Sequence, residues 1–321
     1  MYFSAVSIIP ANVLKAAGII NFAAMKIASN KIKDIARFFK DELGGLYDED
    51  ELSVIFRYCL EEFTGAGNGL QVEDHRTVSE SELLRFSFAV KDLKKEKPLQ
   101  YILESADFYG LKFFVNGHVL IPRPETEELV QEVIRDVTAS SLQLSASVLQ
   151  PPFSILDVGT GSGCIPVALK KHLPHAAVSA LDVSEQALDV AKGNAEKNNT
   201  AIRFFRDDIL SPSPELLSSR YDLIVSNPPY IRLSEKEQMK KNVLLYEPHL
   251  ALFVESEDAL LFYRKIADTA LKILKPGGRI YFEINEAFGP ETGQLLVAKG
   301  FKNVELLKDM SNKNRILRGM L

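Results

Sequence analysis

Ser154-Ile155-Leu156-Asp157-Val158-Gly159-Thr160-Gly161-Ser162-Gly163-Cys164 is the stretch that decides the fold. Its first five residues read as a buried strand, and the turn after them opens a helix at Cys164. Glycines at alternate positions let the backbone pass close to a ligand held at that helix N-terminus. A tight strand-to-helix connection would also want such glycines. Asp182 adds a second signal, because it ends the next strand, Ala177–Asp182, 23 positions after Gly159. A carboxylate there is placed to take both hydroxyls of an adenosine ribose, which makes the loop a nucleoside site. The dinucleotide fingerprint puts its third glycine three positions after the second, and Gly159-x-Gly161-x-Gly163 does not.

Strands and helices alternate from this point to the C-terminal region. Strands are expected at 154–158, 177–182, 202–206, 221–226 and 279–284, with helices from Cys164, from Ser184 and around 259–274. Such alternation implies an α/β fold with a mostly parallel sheet covered on both faces. Upstream, Pro124 stands at a first helical position, and Leu129, Val130, Val133, Ile134 and Val137 form an apolar helical face after it. A polar, serine-rich stretch, 139–152, follows that helix. Before Pro124, segments 108–115 and 118–121 flank Asn116-Gly117, which predicts a hairpin. Between Lys31 and Val90 the pattern is helical: Ile32, Ile35, Ala36, Phe39 and Leu43 share one face, and Leu52, Ile55, Phe56, Cys59, Leu60 and Phe63 share another. Asp48 with Glu51, and Ser79 with Glu82, stand as N-caps with their carboxyl partners. The expected division is an extension (1–24), a helical bundle (25–97), a hairpin connector (98–123) and a catalytic domain (124–321).

The strand at 221–226 ends in Asn227-Pro228-Pro229-Tyr230. Two prolines remove two backbone donors and fix φ, so this loop is rigid and rich in acceptors. A planar NH2 group offers two donors in one plane, and the Asn227 side-chain oxygen and Pro228 carbonyl are suited to take both. Carboxamides and exocyclic base amines both meet that description. Tyr230 is expected either to pack over the reacting nitrogen, favouring the nearby cationic centre through its π face, or to form a plain hydrophobic wall.

Bulk properties fit an ordinary globular chain. Its 321 residues are 46% hydrophobic and 25% charged, with a net charge of −5, so a sequence-independent grip on duplex phosphates is not expected. The expected bundle, from residue 25 to 98, carries 12 basic and 15 acidic residues, the wrong balance for reading a nucleic acid. Cys59 and Cys164 form no CxxC, and His172 and His175 lack partner ligands nearby, so neither a disulfide framework nor a metal is expected. The first 24 residues are apolar, but Pro10, Asn12, Lys15 and Asn21 interrupt them, and they read as an extension rather than an anchor. A cytoplasmic, monomeric protein without membrane association is the expectation.

Together these segments resemble the release-factor glutamine methyltransferases, a branch of the class I methyltransferases. The resemblance runs from Lys31 to Arg318 through Pro98-Leu99-Gln100-Tyr101-Ile102, Ile121-Pro122-Arg123-Pro124-Glu125-Thr126-Glu127, the glycine loop, Asn227 to Tyr230, Tyr246-Glu247-Pro248 with Ala251-Leu252, and Lys275-Pro276-Gly277-Gly278. Pro-Arg-Pro-Glu-Thr-Glu is its family-specific part, whereas Asn-Pro-Pro-Tyr is shared with adenine methyltransferases. The resemblance implies a Rossmann-like doubly wound sheet with a small N-terminal helical bundle and a connecting β-hairpin. It implies S-adenosylmethionine as cofactor and S-adenosylhomocysteine as product, with contacts from Gly159, Thr160, Gly161, Ser162, Gly163, Asp182 and Asn227, and with Asp208 and Ile209 near the adenine. Asn227, Pro228, Pro229 and Tyr230 would bind substrate, with Asn227, Pro228 and Tyr230 catalytic. The implied partner is a class I peptide chain release factor, methylated at the glutamine of its Gly-Gly-Gln loop, with no stable nucleic-acid complex. Glu104, Asp207 and Asn285 depart from the family pattern, Glu104 and Asn285 standing where glycine is usual.

An amide nitrogen has a delocalised lone pair, so the enzyme must supply position rather than a strong base, and the expected reaction is direct in-line transfer. Three competing readings are an N6-adenine methyltransferase on nucleic acid, a ribosomal-protein glutamine methyltransferase, and a nucleoside-binding regulator without catalysis. Glu125-Thr126-Glu127 favours the release-factor branch over the ribosomal one, and the acceptor loop argues against a pure binder.

Overall fold

The computed structural model describes residues 27–65, 76–143 and 152–321, apart from residues 255 and 257. The extension at 1–24 and the part of the polar stretch from 144 to 151 lie outside the described residues. The chain divides into two compact units between Leu103 and Glu104.

In the first unit, α1 (Ile32–Leu43), α2 (Glu49–Thr64) and α3 (Glu80–Leu93) pack around one apolar core. Ile32, Ile35, Phe39 and Leu43 are buried on α1, as are all six residues of the α2 face, which is what an amphipathic helix of this spacing must do to remove its stripe from water. Phe39 meets Phe56 edge-on at 5.2 Å, and Phe63 meets Phe86 at 5.1 Å. Truncating a ring in such a cluster typically costs about 3–5 kcal/mol. Asp48 caps α2 by accepting from Glu51 N at 2.8 Å, and Ser79 with Glu82 forms a reciprocal capping box at α3. The unit continues past the charged stretch into α4 (Leu99–Leu103), because Leu103 is buried in the same core.

The second unit opens on a hairpin, β1 (Ala106–Phe108) and β2 (Leu111–Phe113), with Phe108 opposite Leu111 and Ala106 opposite Phe113. Its turn is Tyr109-Gly110, both at positive φ (50° and 72°), and not the expected Asn116-Gly117. This register buries Phe108 against Phe113 at 6.0 Å, a contact that a turn at 116–117 would lose. The helix expected after the connector is α5 (Pro124–Gln143), and it runs into the serine-rich segment.

Seven strands form the main sheet in the order β10-β11-β9-β6-β3-β4-β5. They are β3 (Ser154–Val158), β4 (Ala177–Asp182), β5 (Arg203–Arg206), β6 (Tyr221–Ser226), β9 (Leu274–Glu283), β10 (Lys302–Lys308) and β11 (Asn314–Met320), while β7 (Ile231–Arg232) and β8 (Phe253–Val254) form a separate parallel pair. Strands β9, β6, β3, β4 and β5 are mutually parallel, whereas β11 runs antiparallel to both β9 and β10. Strands β10 and β11 were not expected. Ile155, Leu223 and Tyr281 go to one apolar cluster, with α5 and α6 (Cys164–His172). Their neighbours Leu156, Ile224 and Phe282 go to the opposite one, with α11 (Leu261–Ile273) and α12 (Gly289–Ala298), which follow the short helices α8 (Pro214–Ser218), α9 (Lys241–Tyr246) and α10 (His249–Leu252). A two-residue side-chain period therefore gives both faces of the sheet a core. No described helix is long and apolar enough to cross a membrane.

The chain lays β3, β4 and β5 outward and then returns to place β6 on the other side of β3. At that reversal the loops after β3 and β6 part to opposite faces and leave a crevice beyond their carboxyl ends.

Candidate active site

Val158 and Ser226 are paired at the ends of β3 and β6, and the Ser226 hydroxyl donates to the Val158 carbonyl at 2.7 Å. This tie fixes the spacing of the two loops that follow. On the β3 side, the N–H groups of Gly159 and Thr160 both donate to Leu181 O at 3.0 Å, folding the glycine loop back on β4. Gly163 (φ +79°) marks the closest approach, since a Cβ there would stand 3.0 Å from the Ala191 Cβ of α7 (Glu185–Lys197).

Asp182 is pinned by this backbone. Its Oδ2 accepts from Gly161 N at 2.8 Å and its Oδ1 from Ser184 N at 2.9 Å. A carboxylate has about four acceptor positions, so one bond to each oxygen leaves room for two incoming hydroxyls. Burial raises its pKa above the usual carboxylate value, and the N–H bonds from Ser184 and Gly161 oppose that rise.

At the base of the loop Asp157 is fully buried, and neither of its oxygens has a hydrogen-bond partner among the described residues; the Thr160 hydroxyl is in the same position. Burial pushes the Asp157 carboxyl up to about 7; the Thr160 hydroxyl beside it opposes that rise, and the charge of Asp182 adds to it. Buried acceptors left open in this way are what a donor-bearing ligand or a bound water would satisfy.

On the β6 side, Asn227 is half-buried and Pro228 buried. The Asn227 Nδ2 donates to Thr126 Oγ1 at 3.2 Å, and the Thr126 hydroxyl donates to Glu283 Oε2 at 2.6 Å. Glu283 is completely buried, which raises its carboxyl to about 7 against the lowering effects of Thr126 and Arg315. Tyr230 does not reach the cavity wall. It packs against the apolar cluster that includes Tyr263 and Phe282, with its hydroxyl 3.5 Å from Glu283 Oε1. Burial, then the Glu283 charge, holds its pKa above the usual phenol value.

The two sides enclose a cavity of about 230 Å³. Gly159, Thr160, Gly161, Ser162, Asp182, Asp208, Ile209, Asn227, Pro228 and Pro229 all line it, so most of the residues singled out from the sequence meet here; Gly163 and Tyr230 stand behind the wall. Residues 117–123, Pro248, Leu250 and Ala251 supply further walls, with Phe262 and Ile266 beside them. Arg123 and Glu247 join them through an ion pair of 2.5 Å, with Ile121 N donating to the second Glu247 oxygen at 3.4 Å. The Asn116-Gly117 signal thus belongs to a cavity loop. Asp157, Thr126, Glu247 and Glu283 were not assigned from the sequence, although Asp157, Thr126 and Glu247 lay inside motifs already singled out.

Each departure from the family pattern has a local structural setting. Glu104 sits at φ +53°, a conformation glycine adopts without strain. Asn285 donates to the Tyr230 carbonyl at 3.5 Å and caps the following turn by accepting from Ala287 N at 3.0 Å. Asp207 accepts from both the backbone and hydroxyl of Ser213, at 3.1 and 2.6 Å.

Residues 138–252 match the family model described as "Methyltransferase small domain". Among solved structures, the catalytic domain of hMettl16 in complex with a 3'UTR hairpin superposes with a TM-score of 0.51 at 18% identity, over 82% of this chain and 90% of that one. That likeness is one of fold alone. A release factor glutamine methyltransferase of Streptococcus pneumoniae is 39% identical over 89% of this chain and 97% of its own length. The enzyme of the same name from Flavobacterium psychrophilum is 44% identical over 89% of this chain and 98% of its own length. Identity of this extent across both units, together with a methyltransferase crevice at the turn of the sheet, means that the chain belongs to the release factor glutamine methyltransferase family.

Proposed function

We propose that the chain transfers a methyl group from S-adenosylmethionine to the side-chain amide nitrogen of the glutamine in the Gly-Gly-Gln loop of a class I peptide chain release factor. The observation that carries this reading is Asn227, whose NH2 is already committed to Thr126 within a double-proline loop beside the glycine-loop cavity. Its carbonyl oxygen is left for a donor brought by the substrate.

The residues present fit the cofactor. Asp182 retains acceptor positions for a ribose, Ile209 is a buried apolar wall for a base, and Asp157 with Thr160 leaves open acceptors beneath the loop. When bound, S-adenosylmethionine supplies an electrophilic methyl group. The task of the chain is then geometric. Asn227 Oδ1 and the Pro228 carbonyl accept the two hydrogens of the substrate NH2 and direct its lone pair into the crevice, and the prolines keep competing N–H groups away. Proline rigidity means that this arrangement needs little reorganisation at the transition state, where orientation counts most. No ionised base is required, since the methylated nitrogen is acidic enough to release its proton.

The decisive experiment incubates the chain with labelled S-adenosylmethionine and a release factor, in parallel with DNA, RNA and ribosomal protein. Label on the release factor, abolished when its Gly-Gly-Gln glutamine is replaced by alanine, is the expected result. Label on adenine with the release factor untouched would overturn the glutamine reading.

A further inference from the structure

We infer that Thr126 is a positioning residue: its hydroxyl sets the amide orientation of Asn227 and so makes the pocket select a nitrogen that carries two hydrogens. The inference rests on the reading of Asn227 as the acceptor of the substrate NH2.

An asparagine amide fits the same space in two orientations half a turn apart, exchanging its oxygen for its NH2. Only its hydrogen-bond partners choose between them. Thr126 has a single hydroxyl proton, and that proton goes to Glu283 Oε2 at 2.6 Å. What the hydroxyl has left for Asn227, 3.2 Å away, is lone pairs. Asn227 must therefore present its NH2 to Thr126, and its oxygen faces the other way.

The surroundings hold the chain of bonds in this sense. Thr126 is 2% exposed and Glu283 1%, so water does not compete for either group. The Tyr230 hydroxyl, 3.5 Å from the second Glu283 oxygen, and the positive charge of Arg315 both favour Glu283 as an acceptor. With the orientation reversed, Asn227 would show an NH2 to the pocket and welcome a carboxylate instead of a carboxamide. Glutamine and glutamate differ in little else, so the discrimination falls on this rotamer together with the fixed Pro228 carbonyl.

The test compares wild type, Thr126→Val and Thr126→Ser at pH 8 with a release factor as substrate. Valine keeps the shape and removes the hydroxyl. It is expected to lower kcat about 10-fold, the scale of one buried hydrogen bond, with KM for the release factor and cofactor affinity changed less than about 2-fold. Serine is expected to restore kcat to within about 3-fold of wild type. A release factor bearing glutamate in place of the acceptor glutamine is the second probe. Wild type should bind it about 10-fold more weakly than the glutamine form, and Thr126→Val should narrow that gap. Unchanged kcat in Thr126→Val, or serine as impaired as valine, would overturn the inference, the second outcome assigning Thr126 to packing. If Thr126→Val does not fold, Thr126→Ala against Thr126→Ser is decided by the same criteria. A wild-type chain that ignores release factors and methylates adenine defeats the proposed function instead; the variants are then compared on adenine, whose NH2 makes the same demand of Asn227.

Discussion

Four consecutive residues, Gly159 to Ser162, and the Asp182 carboxylate line the β3 side of the cavity, and they work through backbone: Gly159 and Thr160 fold onto Leu181, and Gly161 onto Asp182. The opposite side is made by side chains distant in sequence, Thr126 reaching Asn227 across 101 positions and Glu283 across 157. On the proposed function, the first construction is the one that meets the nucleoside part of the cofactor. The second fixes the sense of a single amide, so it is suited to choosing the group that reacts. Affinity for the cofactor and orientation of the acceptor should therefore separate under mutation.

Asn227→Ala tests the separation most severely. Removing the acceptor oxygen is expected to lower kcat by about 10²-fold or more, as loss of one preorganised polar group at a transition state does. Single-turnover methylation of a release factor measures it, and a loss confined to KM would erase the distinction between the two sides. Asp182→Ala should act on the other half, weakening cofactor binding by roughly 1.5–3 kcal/mol, since both oxygens are held for charge-assisted bonds. Calorimetric titration with S-adenosylmethionine gives the figure, and unchanged affinity would take the ribose away from Asp182.

The buried carboxyl beneath the glycine loop gives a subtler contrast. Asp157 has a folded-state pKa raised to about 7, above its unfolded value, so the folded chain holds the extra proton. That stabilisation is complete below the ordinary carboxylate range and is lost as pH rises through about 7. The ligand-free protein should melt about 5 °C higher at pH 6 than at pH 8, a few kcal/mol being worth several degrees in a chain of this size. Asp157→Asn should flatten part of that slope, and Glu283→Gln, removing the second carboxyl raised to about 7, should flatten a comparable part. A wild-type melting temperature that rises from pH 6 to pH 8 would contradict both assignments. The smallest effect is expected outside the cavity. Glu104→Gly relieves a left-handed residue and should stabilise the chain by about 0.5–1 kcal/mol in urea denaturation, after the greater freedom of glycine when unfolded is allowed for. Destabilisation would show that the glutamate side chain is needed.

What was legible in the sequence followows the same division. The glycine loop, Asp182 and the proline loop are contiguous signals whose physics is local, and the structure brings them to one crevice. The parallel strands were readable because both faces are buried and their runs are apolar. Strands β10 and β11 were not, because charged and polar residues such as Lys302, Glu305, Lys308 and Arg318 break the apolar run at the sheet margin. The hairpin turn was misplaced because Asn-Gly is a strong local signal, whereas the pairing of Phe108 with Phe113 is a tertiary one. Thr126 and Glu283 were out of reach for a simpler reason: nothing in a linear reading says that a helix start, a strand end and a loop will share one hydrogen-bonded chain.

The sheet order carries one more consequence. Strand β11 lies between β9 and β10, opposite Glu283 at Ile316, and it carries the Arg315 charge that Glu283 senses. Strand β10 pairs only through β11, so opening of the β9–β11 seam would carry both strands away from the sheet. Detachment of that segment strips β9 of a neighbour and Glu283 of its countercharge, while the glycine loop keeps every bond described for it. Partial unfolding from this edge would produce a molecule that still holds nucleoside but no longer aligns an acceptor, and amide hydrogen exchange in β10 and β11 would report how often the enzyme visits that inactive form.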